Sequence, residues 1–399
     1  MRRLLKWIGL LLVWVVLTYA ALEIGLRLTA PSLGGQIGTV ARYVTTGQPY
    51  SESWQPAWRE NRDHYYALRP DVTDVLQYGS PTVSFRLTTH KLWDDGLPPD
   101  EGIGFRTRPI DYRVDAVVVG DSFGFCFTEE ADCWVTRLAA QTGLGIANLS
   151  MPVTGSISHG RILADYGAPL EPPIVIWQFF GNDFNDDYGL LAWRGDIEPL
   201  DDLGADDASG DAGVGQWLTQ HSIVWALGEV LLTGRWSGTP DSERVFTPQY
   251  TAAVNDRGDV LQFGKLYEQR ALDMTRPANQ FGLEQSRAAF TEAQARVDAW
   301  GGELVVVLIP TREEVYAHIT EPLMGAEAIA RQHSAREAML GLCDSLRLTC
   351  IDPTDAFTAR ALEGDMLYYR DDMHLNPRGN ALLAEIVAGA LPVSEAQDS

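Results

Sequence analysis

The chain has 399 residues, a formal net charge of −23 and a pI near 4.6. That length is enough for one large core with additions. The acidic balance, with no run of Lys or Arg, argues against a nucleic-acid partner, because phosphate binding needs a basic face.

Arg2, Arg3 and Lys6 precede an apolar stretch from Trp7 to Leu22, which continues to Leu28 with Glu23 and Arg27 interposed. A buried core helix is also apolar, but a basic flank before such a run reads as an export signal. The basic end stays in the cytoplasm, so the rest of the chain is expected outside it. Thr18-Tyr19-Ala20 offers a weak cleavage site. The amphipathic continuation favours an uncleaved anchor over residues 1–28, inserted in the membrane. Residues 29–110 form a connecting extension rich in aromatics and turns, with Trp54, Trp58, Tyr65, Tyr66 and Trp93. Phe85–Thr89 reads as a strand and Gly104-Phe105-Arg106 as a turn, and this part is expected to pack on the core.

From residue 111 the pattern alternates. Strand-like runs at Asp115–Val119, Gly145–Leu149, Ile174–Phe180, Leu304–Ile309 and Leu348–Ile351 alternate with helical patterns at Asp132–Thr142, Ile157–Tyr166, Leu283–Trp300, Ala326–Leu342 and Asn376–Ala390. Such alternation implies a parallel sheet covered on both faces, an α/β, flavodoxin-like three-layer sandwich over residues 111–392. Residues 393–399 are a tail. Ligands bind such sheets at the carboxyl ends of the strands. Ser122, Gly155, Asn182 and Pro310 all follow strand carboxyl ends.

Residues 184–282 interrupt the rhythm. Asp201–Gly215 is acidic and glycine-rich, which suits a flexible segment. Trp217–Leu232 reads as one amphipathic helix, and Val260–Gly264 with its neighbours as pairing strands. An insertion that starts beside Asn182 is expected to sit over the active-site edge as a lid, with decoration of the fold as the alternative. Asp183-x-Asn185-x-Asp187-x-Gly189 resembles the start of a calcium loop. Its glycine is one place late and its twelfth position is Arg194, so a solvated acidic loop is the expectation, with no metal.

The chemistry is concentrated in two places. Ser122 lies in Val-Val-Val-Gly-Asp-Ser-Phe-Gly at a strand end, and His374 in Asp-Asp-Met-His near the C-terminus. A serine hydroxyl is a poor nucleophile until an imidazole takes its proton and a carboxylate holds that imidazole. A lone Gly-Asp-Ser or Asp-x-x-His is usually only a turn. Here the apolar runs also end in Asn148–Gly155 and in Gly181-Asn182-Asp183, giving serine, glycine and asparagine loops in order before the Asp-x-x-His.

This order resembles the SGNH (GDSL-type) hydrolase family over about 116–183 and 303–391. One departure is that Gly155 follows Asn148 by seven residues, where the family usually has five. The resemblance implies Ser122 as nucleophile, His374 as general base and then acid, and Asp371, three residues before the histidine, as its partner. Asp372 is the competing neighbour. The oxyanion donors would be the backbone N–H groups of Ser122 and Gly155 and the side-chain amide of Asn182. Asp121 is expected to bond the loop backbone. The other histidines (His64, His90, His159, His221, His318, His333) are read as surface or satisfied core residues, and no cofactor is implied.

Cys126, Cys133, Cys343 and Cys350 form two local pairs with six residues between the members of each. In an exported chain they are expected as disulfides, and of three connectivities the local one is favoured. The resulting expectation is a membrane-anchored carboxylic-ester hydrolase acting through an acyl-enzyme on Ser122. Its substrate would be an ester-bearing small molecule or acylated glycan. The alternatives are an O-acyltransferase or deacetylase modifying extracellular polysaccharide, and a non-catalytic anchored binding protein of the same fold.

Overall fold

The computed structural model describes residues 2–30, 33, 38, 40–41, 44–45, 58–61, 65–77, 83–94, 96–98, 101–198, 200, 214–233 and 250–391. Most of the acidic run at 201–215 and the tail at 393–399 lie outside the described residues.

The chain opens with one long helix, α1 (Arg2–Thr29). Gly9–Thr29 is long and apolar enough to cross a membrane and is not buried by the rest of the protein. The extension forms two antiparallel pairs, β1 (Trp58–Asn61) with β2 (Tyr65–Leu68) and β3 (Thr73–Gln77) with β4 (Ser84–Thr88). Phe85, Leu87 and Phe105 are fully buried in the main core, so this part does pack on the domain.

The core then runs β5 (Ala116–Val119), α2 (Ser122–Phe125), α3 (Trp134–Thr142), β6 (Ile146–Asn148), α4 (Ser156–Ile162) and β7 (Ile174–Phe179). Helix α5 (Asp183–Arg194) starts directly after Asn182. The insertion continues with α6 (Val214–His221), α7 (Ile223–Thr233) and the hairpin β8 (Tyr250–Ala253) and β9 (Val260–Phe263). After α8 (Leu266–Ala271) and α9 (Pro277–Ala299) the alternation resumes as β10 (Glu303–Leu308), α10 (Arg312–Val315), α11 (Ala317–Met324), α12 (Ala326–Leu346), β11 (Thr349–Ile351), α13 (Thr354–Leu362) and α14 (Pro377–Ala390).

Five strands form one parallel sheet in the order β11-β10-β7-β5-β6. Every residue of β5 and β7 is buried, as expected for central parallel strands covered on both faces. Helices α4, α5 and α9 pack together in one group, and α3 packs with α14 in another. This is the doubly covered α/β architecture read from the alternation.

Two expectations for the insertion are corrected. Residues 183–189 are not a solvated loop: they form the first turns of α5, with Asp183, Asp186 and Asp187 buried. The 217–232 segment is two helices rather than one. The Ser222 hydroxyl accepts the Trp225 N–H at 3.2 Å, and such a side-chain cap starts a new helix.

Candidate active site

Ser122 starts the short helix α2 just beyond β5. Its loop is fixed from several sides. The Gln178 side-chain oxygen accepts the backbone N–H groups of Asp121 (3.0 Å) and Gly124 (2.8 Å). Asp121 accepts the Phe123 N–H at 2.8 Å, the backbone role expected of it. Asn148 donates to the Gly124 carbonyl at 2.9 Å. A Cβ on Gly120 would come within 2.4 Å of the Gln178 oxygen, and one on Gly124 within 2.2 Å of the Ser150 hydroxyl, so both positions need glycine. Buried Arg106 of the extension donates to the carbonyls of Phe125 (3.0 Å), Cys126 and Thr128 (2.5 Å). Burial pulls its guanidinium down to about 10. Gln178 and Arg106 escaped the sequence reading, because an amide inside an apolar strand and an arginine in a turn carry no motif.

His374 reaches this loop from the other end of the chain. Its Nε2 lies 2.7 Å from Ser122 Oγ, and its Nδ1 lies 2.5 Å from Asp372 Oδ1. The imidazole sits between Phe123 and Phe127, at ring-centre distances of 4.8 and 4.3 Å. Ser122, His374 and Asp372 are all buried.

Asp372, and not Asp371, is therefore the carboxylate on the histidine. The local geometry explains why. The Asp372 carboxylate also accepts the His374 backbone N–H at 2.9 Å, forming an Asx-type turn that brings the ring to the same oxygen. Burial alternates along 371–374, so residues 372 and 374 face inward while 371 and 373 are half-buried. The loop is closed by the bridge between Tyr368 and Leu375 and by Asn376, which donates to the carbonyls of Met366 and Tyr368 and caps α14.

The Asp372 carboxyl feels opposing effects. Burial alone would raise it, but His374 and then Lys265 hold it well below the usual carboxylate range. Lys265 Nζ lies 4.0 Å from Asp372 Oδ2, and both side chains are nearly inaccessible. Behind it, Arg312 pairs with Glu268 at 3.0 Å and Glu313 at 3.3 Å, and Glu313 accepts the Gly264 N–H at 3.0 Å. The end of the insertion thus packs directly on the histidine loop.

The expected oxyanion residues lie at neighbouring strand ends. β5 pairs with β7 from Ala116↔Ile174 to Val119↔Trp177, so Ser122 and Asn182 follow adjacent strands. Asn182 donates to Asp186 Oδ2 at 2.8 Å and lies 3.5 Å from the Tyr267 hydroxyl. Gly155 precedes α4, and a Cβ there would meet the Asp183 carbonyl and the Asp187 carboxylate, each at 2.5 Å. Asp187 accepts the Ile157 N–H at 2.8 Å and a hydroxyl from Ser286 at 2.9 Å. The two extra residues between Asn148 and Gly155 are taken up in a loop with Val153 at φ +59°, an unusual conformation for a β-branched residue.

Burial raises the carboxyls of Asp121 (to about 7), Asp183 and Asp187. His159 is a core residue beside Asp183, at 3.8 Å, with Thr154 on its other nitrogen at 3.0 Å. The cysteines are paired locally, Cys126 with Cys133 and Cys343 with Cys350, at Cα separations of 5.4 and 6.3 Å. The first pair clamps the segment after Ser122. Among the described residues no group of three or more His, Cys, Asp or Glu side chains is arranged to hold a metal ion.

Residues 266–399 match the family described as SGNH hydrolase-like domain, acetyltransferase AlgX. That match covers the C-terminal third of a chain whose core is the five-stranded parallel sheet β11-β10-β7-β5-β6. No curated relative matches the chain by sequence. Solved structures that resemble it include the acetyl xylan esterase AlAXEase (11% identity, 69% of this chain and 99% of that one, TM-score 0.36). TesA resembles it at 14% identity, 69% and 97% coverage and TM-score 0.34. LAE5, an alpha/beta hydrolase enzyme from the metagenome of Lake Arreo, Spain, does so at 13% identity, 69% and 93% coverage and TM-score 0.33.

Proposed function

We propose that the protein is a serine-dependent acyl-transfer enzyme that moves acetyl groups on extracellular polysaccharide, with hydrolysis as the outcome when water replaces a sugar acceptor. The observation that carries this reading is the continuous hydrogen-bonded line from Ser122 Oγ through His374 to Asp372. The match of residues 266–399 to an acetyltransferase family supports the choice of acetyl.

In the proposed reaction Ser122 Oγ attacks the ester carbonyl as His374 Nε2 takes its proton. Asp372 holds the imidazole and offsets the imidazolium charge. The oxyanion of the tetrahedral intermediate is met by the backbone N–H groups of Ser122 and Gly155 and the Asn182 amide. His374 then returns the proton to the leaving alcohol, leaving an ester on Ser122. A sugar hydroxyl or water, deprotonated by the same imidazole, attacks that ester and frees the serine. In this reading α1 anchors the enzyme with its basic end in the cytoplasm and the domain outside, as the paired cysteines favour.

The test uses the full chain in detergent or lipid discs with nitrophenyl acetate and acetylated glycans, with and without an unacetylated glycan acceptor. The reading expects acetyl to appear on the acceptor, and a fluorophosphonate probe to label Ser122 alone. Ser122→Ala should lose turnover by about a million-fold, as when a serine nucleophile is removed elsewhere. Full activity in that variant, or labelling at another residue, overturns the mechanism. Release of free acetate with no transfer to any acceptor leaves an esterase.

A further inference from the structure

We infer that helices α6 and α7 of the insertion lie in the interface of the same bilayer that α1 crosses, so that the domain is seated on the membrane as well as tethered to it. The inference rests on the reading of α1 as a membrane span.

Glu23 is a carboxylate within the apolar Gly9–Thr29 stretch, where an unpaired charge is costly. Apart from Arg27 on the same helix, its partners come from the insertion, about 200 residues away. It accepts the backbone N–H groups of Ile223 (3.2 Å) and Val224 (3.1 Å) and the Ser222 hydroxyl (2.9 Å), and pairs with Arg27 at 2.8 Å. The Tyr19 hydroxyl lies 2.5 Å from the Ser222 hydroxyl, and Arg27 donates to the His221 carbonyl. The start of α7 is thereby fixed at the level of Glu23.

That level sets a depth. Glu23 lies six residues before Thr29, and at 1.5 Å per residue this is about 9 Å inside the end of the span. Amphipathic helices in a bilayer interface sit about 5–10 Å below the headgroup boundary. Helix α7, IVWALGEVLLT, has Glu229 as its only charged residue. Leu231 and Leu232 are 85% and 89% exposed, and Trp217 and Trp225 also present surface to the outside, at 57% and 44%. Exposed leucines joined to a span, with tryptophans beside them, are the composition of an interfacial element. In water the same surface would be an unusually apolar patch.

Depth measurements test the inference in the full chain, whose native cysteines are all paired. Val15→Cys, Leu232→Cys and Glu292→Cys are labelled singly with an environment-sensitive fluorophore and reconstituted in phosphatidylethanolamine–phosphatidylglycerol vesicles. Doxyl-lipid quenching at position 232 is expected to exceed that at 292 by about threefold or more, with iodide showing the reverse order. Iodide quenching at 232 equal to that at 292 overturns the inference, as does shielding from both quenchers, which would mean a protein partner or second copy covers the helix. If position 15 is also open to iodide, the span reading itself has failed and takes the inference with it.

Discussion

On the serine side of the site, the chain is held by the sheet. Ser122 follows a fully buried strand, and its loop is bonded by Gln178 and Asn148 of the strands on either side and by Arg106. On the histidine side there is no strand. Residues 369–374 form a loop closed by the Tyr368–Leu375 bridge and the Asn376 amide, and a buried charge that faces Asp372 from outside it is Lys265, contributed by the insertion. The difference teaches that the two halves of the site depend on different parts of the chain. The serine needs the core, while the acid–base pair needs the segment around 260–273.

Asp372→Asn should break the histidine side most completely. An amide holds the imidazole in the wrong tautomer, and kcat is expected to fall by about ten-thousand-fold with KM little changed. Asp371→Asn, one residue away, should retain most of the turnover. Equal losses in both variants would make the two aspartates interchangeable and undo the assignment.

Much of this arrangement was legible in the sequence, but unevenly. The apolar runs located all five strands, and the glycine-flanked Ser122 and distant His374 were readable because each follows from local pattern. The carboxylate was misplaced by one residue. Family spacing pointed to Asp371, whereas the Asx-type turn that selects Asp372 is a backbone conformation with no separate mark in an Asp-Asp pair. Lys265, Gln178 and Arg106 were invisible for another reason: their partners are 107, 57 and about 20 residues away, and only the folded topology brings them together.

Asn182 stands where the two sides meet. It follows β7 and donates to the Asp186 carboxylate one turn into α5, so it both ties the start of that helix and can direct an N–H at a developing oxyanion. Asn182→Ala is expected to lower kcat by about a hundredfold or more at nearly constant KM. A purely structural role, tethering the start of α5 through Asp186, predicts the opposite pattern: a lower melting temperature, with near-normal kcat in the folded fraction. Measuring kcat, KM and melting temperature on one preparation separates the two.

Lys265→Met sharpens the claim that the insertion belongs to the site. Turnover near neutral pH should drop by about tenfold or less, since the carboxylate keeps its histidine. The clearer effect is in acid. The depressed Asp372 carboxyl stabilises the fold above the ordinary carboxylate pKa, and that stability is lost as pH falls through its folded value. Without Lys265 the folded carboxyl is less depressed, so it contributes less stability above the ordinary carboxylate pKa and the acid-unfolding midpoint should move to higher pH. Lys265→Arg should restore the wild-type acid midpoint. If acid unfolding of Lys265→Met coincides with wild type, the cation does not act on Asp372.

The smallest effect on turnover is expected on the serine side, at Asp121. Burial raises its carboxyl to about 7. Between the ordinary carboxylate pKa near 4 and that value, the unfolded chain releases a proton that the folded chain keeps. Fewer protons on the unfolded state mean that stability falls as pH rises through this window, and the cost is complete above about pH 7. Asp121→Asn keeps an oxygen for the Phe123 N–H and removes the titration. Its melting temperature should therefore exceed wild type by a few degrees, about 2–6 °C, at pH 8 and match it near pH 4. The sheet-held loop should tolerate the change with kcat altered by about twofold or less, because Gln178 and Asn148 still fix the backbone on either side of Ser122. A variant less stable at pH 8 than at pH 4 relative to wild type would mean that the ionised carboxylate, and not its neutral form, supports the nucleophile's loop.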